Sequence, residues 1–122
     1  MHVQFAELPV CDQARAKEFY ADNLGCAIVA DEPMGSGDWR WIELQFSGSE
    51  TTLHLCQANP EDAPDEPVLV LVDDDVAAVV EGLRTRGVEI VTEPHNPAWQ
   101  PGRVVAEFRD SETGYHIVRM SK

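Results

Sequence analysis

Apolar positions in this chain fall into short alternating runs, interrupted twice by an apolar stripe of helical spacing. Residues 3–10 (VQFAELPV) alternate with a period of two, as a half-buried strand does. Asp12 is a good N-cap, and Gln13–Leu24 sets Ala16, Phe19, Tyr20 and Asn23/Leu24 on one side of a predicted helix that Gly25 stops. Three strand candidates follow at 26–31, 39–47 and 51–57, with turns at Pro33–Gly37 and Gly48-Ser49. The order then returns. Pro67–Val72 reads as a strand, and Asp74 or Asp75 caps a helix through Arg86 that carries Val76, Val79, Val80 and Leu83. Gly87 ends it, and strands are expected at 88–92, 103–109 and 115–120. The acidic run Asp73–Asp75 reads as a cap and dipole partner rather than a cation site.

A shift of 62 residues superimposes the two halves. Val10, Asp12, Ala16, Gly25, Ile28 and Val29 fall on Val72, Asp74, Ala78, Gly87, Ile90 and Val91; Phe46 falls on Phe108 and His54 on His116. The chain is therefore expected to be α+β, two tandem βαβββ modules (3–57 and 67–120) in a single domain, joined by a Pro- and acid-rich linker at 58–66. Two such copies related by an approximate twofold would form curved mixed sheets around a cleft, with the helices on the outer face.

Alternation assigns the faces. Ala6, Leu8 and Val10, then Ile42, Leu44 and Phe46, then Leu53 and Leu55 are expected to face the first helix. Phe5, Glu7, Pro9, Trp39, Trp41, Glu43, Gln45, Thr52, His54 and Cys56 are left on the opposite face. In the second copy Val104, Ala106, Phe108, Tyr115 and Ile117 are expected inward, leaving Leu69, Val105, Glu107, Arg109, His116, Val118 and Met120 on the other side.

Composition narrows the function classes. Nine basic against 22 acidic residues give a formal net charge of −13, which argues against nucleic-acid or anionic-lipid partners. No apolar run approaches the roughly 20 residues of a membrane span, and the first residues lack the basic and apolar regions of a signal peptide. Cys11, Cys26 and Cys56 are odd in number and scattered, so three reduced thiols in a cytoplasmic protein are expected. There is no phosphate loop, dinucleotide fingerprint or nucleophile elbow.

The duplicated unit resembles the vicinal oxygen chelate superfamily, which includes glyoxalase I, extradiol dioxygenases, fosfomycin-resistance enzymes and bleomycin-binding proteins. Leu8-Pro9-Val10-Cys11-Asp12, with Arg15-Ala16, Phe19-Tyr20 and Leu24-Gly25, is similar to that family's opening signature. Val72-Asp73-Asp74 with Leu83 and Gly87-Val88 is similar to the start of its second module, and Phe108-Arg109-Asp110 with Gly114-Tyr115 to its closing turn. The resemblance implies metal-ligand positions at Phe5 and Pro67, which cannot coordinate, and at His54, which can. The fourth falls on Val118 or His116, depending on whether the last strand is aligned on Gly114-Tyr115 or on the repeat.

Two functional readings follow from the resemblance. In the first, the protein binds or sequesters a small organic ligand without a family-type metal, using Phe5, Glu7, Trp39, Trp41, Glu43, His54, Trp99, His116 and Val118. The tryptophans, three of nine aromatic residues, would stack a flat or cationic ligand. In the second, His54, His116 and Glu7 hold a divalent metal (Zn, Ni, Mn or Fe) in a lyase or dioxygenase acting on vicinal oxygens, with Glu43 or Glu107 carrying protons. A homodimer is expected in either case, with the modules pairing within a chain or swapping between chains.

Overall fold

The computed structural model describes residues 1–35, 37–57, 67–112 and 116–122. The expected linker 58–66, Ser36 of the first turn and Gly114-Tyr115 lie outside the described residues. The chain divides into two compact units, Met1–Asp62 and Ala63–Lys122.

The first unit runs β1 (Phe5–Val10), α1 (Gln13–Leu24), β2 (Ala27–Pro33), β3 (Arg40–Gln45) and β4 (Thr52–Gln57). Its sheet has the order β1-β4-β3-β2, with β1 and β4 parallel and the remaining pairs antiparallel. Asp12 caps α1 by accepting the Arg15 N–H at 3.0 Å. Gly25 ends it at φ 70°, a conformation that a side chain would strain. Leu8, Val10, Ile42, Leu44, Leu53 and Leu55 are buried with Ala16 and Tyr20 of α1, so the period-two and helical stripes meet in one core. Gln13 ties the helix start to the sheet. Its Nε2 donates to the carbonyls of Arg40 (2.7 Å) and Leu55 (2.9 Å), and its Oε1 accepts the Arg40 N–H at 3.0 Å.

The second unit repeats the plan: β5 (Pro67–Val72), α2 (Val76–Thr85), β6 (Ile90–His95), β7 (Val105–Arg109) and β8 (Ile117–Ser121), in the sheet order β5-β8-β7-β6. Asp75, the second of the two expected caps, accepts the Ala78 N–H at 3.0 Å. Val76, Val80 and Leu83 of α2 are buried with Ala106, Phe108, Val118 and Met120. Edge strands β2 and β6 carry the same irregularity, a register shift at Val29 in one and Val91 in the other. Bulges of this kind blunt an exposed edge against pairing with another chain.

The repeat holds, but the constant offset does not. The helix caps Asp12 and Asp75 are 63 apart, and the bulged strands align Ala30 with Thr92 at 62. Their partners on the next strand, Glu43 and Glu107, are 64 apart. The residues paired with those glutamates, His54 and Arg119, are 65 apart. Helix α2 is shorter than α1, the loop before β7 is longer, and the β7–β8 turn adds one residue. Because strand side chains alternate, an odd error in offset turns each one to the wrong face.

That error corrects three expectations. Val118 and Met120 pair with Phe108 and Ala106 and lie on the buried face, not the open one. Leu69, paired with Val118, also belongs to the core side, while Val70 and Val72 stand on the open side at 57% and 74% exposure. His116 precedes β8 and is buried in the turn, and the open-face position it was expected to fill belongs to Arg119.

Candidate functional site

On the open face of the first unit three polar residues stand in one cross-strand row: Glu7 of β1, His54 of β4 and Glu43 of β3. Being in register, all three project to the same side of the sheet, opposite Leu53 and Leu55. His54 is buried, and its Nδ1 lies 2.9 Å from Glu7 Oε2. A carboxylate only accepts, so Nδ1 is the protonated nitrogen, and in a neutral ring Nε2 presents a lone pair. Nε2 is buried and has no hydrogen-bond partner among the described residues. Leaving such a group unmatched costs about 1–3 kcal/mol, so its retention needs a reason.

Aromatic rings hold this imidazole in place. Trp41 stacks on it, with centroids 3.8 Å apart and planes 25° apart. Phe5 meets it edge-on at 5.7 Å and Trp39 at 6.4 Å, while Phe5 also packs edge-on against Trp41 at 5.8 Å. Trp41 is fixed in turn. Its indole Nε1 donates to Glu43 Oε1 at 2.9 Å, and the Thr52 hydroxyl donates to Glu43 Oε2 at 2.9 Å. Glu43 is thus a clamp on Trp41, with both oxygens engaged. Cys56, two residues beyond His54, has its thiol pushed up to about 11, chiefly by burial and then by Glu7, so it is a thiol and not a thiolate at neutral pH.

The matching row in the second unit is Thr92, Glu107, Arg119 and Val70. Glu107 again accepts two donors: the Thr92 hydroxyl at 2.9 Å and Arg119 Nη2 at 3.1 Å. The Arg119 guanidinium carbon lies 5.7 Å from the centre of the Trp99 ring. Sequence reasoning put Thr52 on this face without giving it a role, and missed Thr92 and Arg119. The signal available for Arg119 was its opposite charge to Glu107 on the neighbouring strand, a favoured cross-strand pair.

His116 has a different setting. Its Nδ1 lies 3.0 Å from Asp110 Oδ2, the other oxygen of Asp110 accepts the Glu112 N–H at 2.8 Å, and the His116 N–H donates to the Glu112 carbonyl at 3.0 Å. Both side chains are buried, so the pair fastens the β7–β8 turn.

Of the expected metal set His54, His116 and Glu7, each side chain already has a partner within its own unit. Glu7 is bonded to His54 and His116 to Asp110. Glu43, the other carboxylate of the row, is spent on Trp41 and Thr52. In the row of the first unit, His54 Nε2 keeps an unengaged lone pair. No group of three or more His, Cys, Asp or Glu side chains able to hold a metal occurs among the described residues. A divalent site needs three or four such ligands at close distance.

Two tandem βαβββ units, each with a helix on one face and a row of polar and aromatic residues on the other, define a class of paired-module proteins. The chain belongs to the Glyoxalase/Bleomycin resistance protein/Dioxygenase superfamily, whose model matches residues 2–118. Among solved structures it is similar to TnmS3, an antibiotic binding protein from Streptomyces sp. CB03234, with 33% identity and a TM-score of 0.80 over 98% of this chain and 93% of that one. A glyoxalase/bleomycin resistance protein from the same Streptomyces is 30% identical, with a TM-score of 0.77 over 99% of this chain and 100% of the other. Protein YetH of Bacillus subtilis (strain 168) is 29% identical over 110 residues, 88% of each chain. Among the described residues no helix is long and apolar enough to cross a membrane.

Proposed function

We propose that this protein binds a small organic molecule on the open face of its first unit and needs no metal to do so. The observation that carries the reading is the buried, unmatched Nε2 of His54, held by Glu7 on one side and by the Trp41 plate above. A ligand hydroxyl or N–H donating to that nitrogen would satisfy it while a flat portion of the ligand lies against Trp39, Trp41 and Phe5. Similarity to an antibiotic-binding protein supports an organic ligand of natural-product size. A homodimer in a reducing, cytoplasmic setting belongs to the same proposal, the setting being supported by Cys26 and Cys56 standing as thiols outside any disulfide.

The test is a fluorescence titration with bleomycin and a panel of aromatic antibiotics, comparing wild type with His54→Ala and Trp41→Ala. Saturable quenching that both substitutions weaken supports the reading; quenching indifferent to both overturns it. One observation favours a second reading, a metal-dependent enzyme: a histidine with a carboxylate behind one nitrogen and the other left open is how metal-binding imidazoles are oriented. Stoichiometric zinc, nickel, manganese or iron in purified protein, lost in His54→Ala, would establish that reading in place of the binder.

A further inference from the structure

The second unit carries a construction that the proposed site does not use. Trp99 is 63% exposed, yet its loop is a built one. The Gln100 N–H donates to the Pro97 carbonyl at 3.1 Å, the Arg103 N–H to the Gln100 carbonyl at 3.2 Å, and Asn96 Nδ2 to the Arg103 carbonyl at 2.7 Å. Pro97 is buried and anchors the loop. A large indole held on a stiff loop and left open to water is the residue type that dominates binding energy elsewhere.

Arg119 decides what such a surface would accept. Its guanidinium sits 5.7 Å from the Trp99 ring centre and is held by Glu107 through Nη2. A guanidinium has five N–H donors in a planar fork. One meets Glu107, and no hydrogen bond to the described residues engages Nε or Nη1. The cation place at Trp99 is therefore filled by the protein itself, and a cationic ligand would meet a like charge there. What remains is a flat apolar ring edged by charge-assisted donors, which suit a carboxylate. The corresponding position of the first unit, His54, instead presents an acceptor.

We propose that Trp99 and Arg119 form a subsite for an aromatic carboxylate, the ring stacking on the indole and the carboxylate taking the free guanidinium donors. The inference rests on the small-molecule reading and adds the chemical class of one part of the ligand. Of the flat or cationic ligand expected at the tryptophans, Trp99 keeps the flat part, since Arg119 takes the place of a cation.

The experiment is a titration with 2-naphthoate and, separately, 2-naphthylmethylammonium, which share a ring and differ in charge. Indole N–H resonances of the full chain provide the readout, each assigned by single substitution. The expected result is saturable movement of the Trp99 resonance with 2-naphthoate and at least about tenfold weaker binding of the ammonium probe. Arg119→Gln, which can still donate to Glu107, should weaken 2-naphthoate by about tenfold and erase the preference. Trp99→Ala, at an exposed position, keeps the fold and should abolish saturable 2-naphthoate binding measured by equilibrium dialysis, a readout that does not need the Trp99 resonance; it decides the matter if Arg119→Gln does not fold. Equal binding of the two probes, or 2-naphthoate binding unchanged in either variant, overturns the proposal. The antibiotic titrations of His54→Ala and Trp41→Ala report on the first-unit reading separately. Their failure beside a normal 2-naphthoate response would remove that reading and leave the subsite standing.

Discussion

His54 and Arg119 stand at the same point of the two sheets, each in register with a glutamate of the neighbouring strand, Glu43 in the first and Glu107 in the second. The two glutamates share one task, accepting two donors each, while the central residue differs, imidazole in the first unit and guanidinium in the second. In the second unit the glutamate holds the central residue directly. In the first it holds Trp41, and the ring stacked beneath is held by Glu7 instead. Duplication supplied one frame, and the chemistry of the two rows now differs in sign: an acceptor in one, donors in the other.

Replacing Glu43 by Ala should free Trp41. Two hydrogen bonds to a carboxylate are lost, the indole N–H and the Thr52 hydroxyl, and stability should fall by about 1.5–3 kcal/mol. Denaturant melts measure the fall, and near-ultraviolet circular dichroism should show the tryptophan signal weaken. A double-mutant cycle of Glu43→Ala with Trp41→Phe should return a coupling energy above about 0.5 kcal/mol. Strict additivity would mean that the clamp contributes nothing.

The two buried histidines should separate on substitution. His116 and Asp110 are buried partners, and deleting either strips the other of a buried hydrogen bond. Asp110→Ala or His116→Ala should therefore cost about 3 kcal/mol, read as a lowered denaturation midpoint, while ligand affinity of the folded fraction is kept. His54→Ala should differ: it loses the Glu7 hydrogen bond and the packing of Trp41 and Phe5 along with the unmatched Nε2, so stability falls too, but binding is lost even in the fraction that stays folded.

Acid stability should carry the mark of Asp31. Its carboxyl is held below the usual value of 3.8, first by the hydrogen bond from Lys17 and then by the one from Arg40. Their nitrogens lie 2.7 and 2.5 Å from its two oxygens. Because the folded value is depressed, the unfolded chain takes up the proton first as pH falls. The stabilisation is thus full above pH 3.8 and is lost as pH drops through the folded value. Urea melts from pH 6 down to pH 2 should show Asp31→Asn less stable than wild type at the upper end. The two curves should converge at the lower end.

The architecture was readable because its signals are local. Asp12 and Gly25 bracket α1, the period-two runs of β3 and β4 name their core residues, and the return of that grammar after residue 66 gives the second unit. The open row of the first unit was readable for the same reason, since Phe5, Glu7, Trp41, Glu43 and His54 follow from alternation within single strands. The last strand was not. In 115–120 apolar residues occupy both phases, so the face had to come from the repeat, and single-residue length changes accumulated upstream had already reversed it. The bonds of His54 to Glu7 and of Arg119 to Glu107 are cross-strand facts, invisible until the register is known.

Thiol chemistry offers a test of the Glu7 environment that needs no ligand. Cys11 is exposed, whereas burial pushes the Cys26 thiol up to about 12, and burial followed by Glu7 pushes Cys56 up to about 11. The thiolate is the reactive form, and its fraction falls tenfold for each pH unit below the titration point. Iodoacetamide at pH 8 should therefore modify Cys11 first and leave Cys26 and Cys56 orders of magnitude slower, as peptide mass spectrometry would show. Both shifts are upward from 9.0, so their contribution to stability is intact below that pH and lost as pH climbs through 11 to 12. Glu7→Gln removes one of the two groups of causes at Cys56 and none at Cys26. Alkylation of Cys56 should accelerate in that variant while Cys26 stays slow; equal acceleration of both would point to general loosening of the fold and against a carboxylate at the Cys56 thiol.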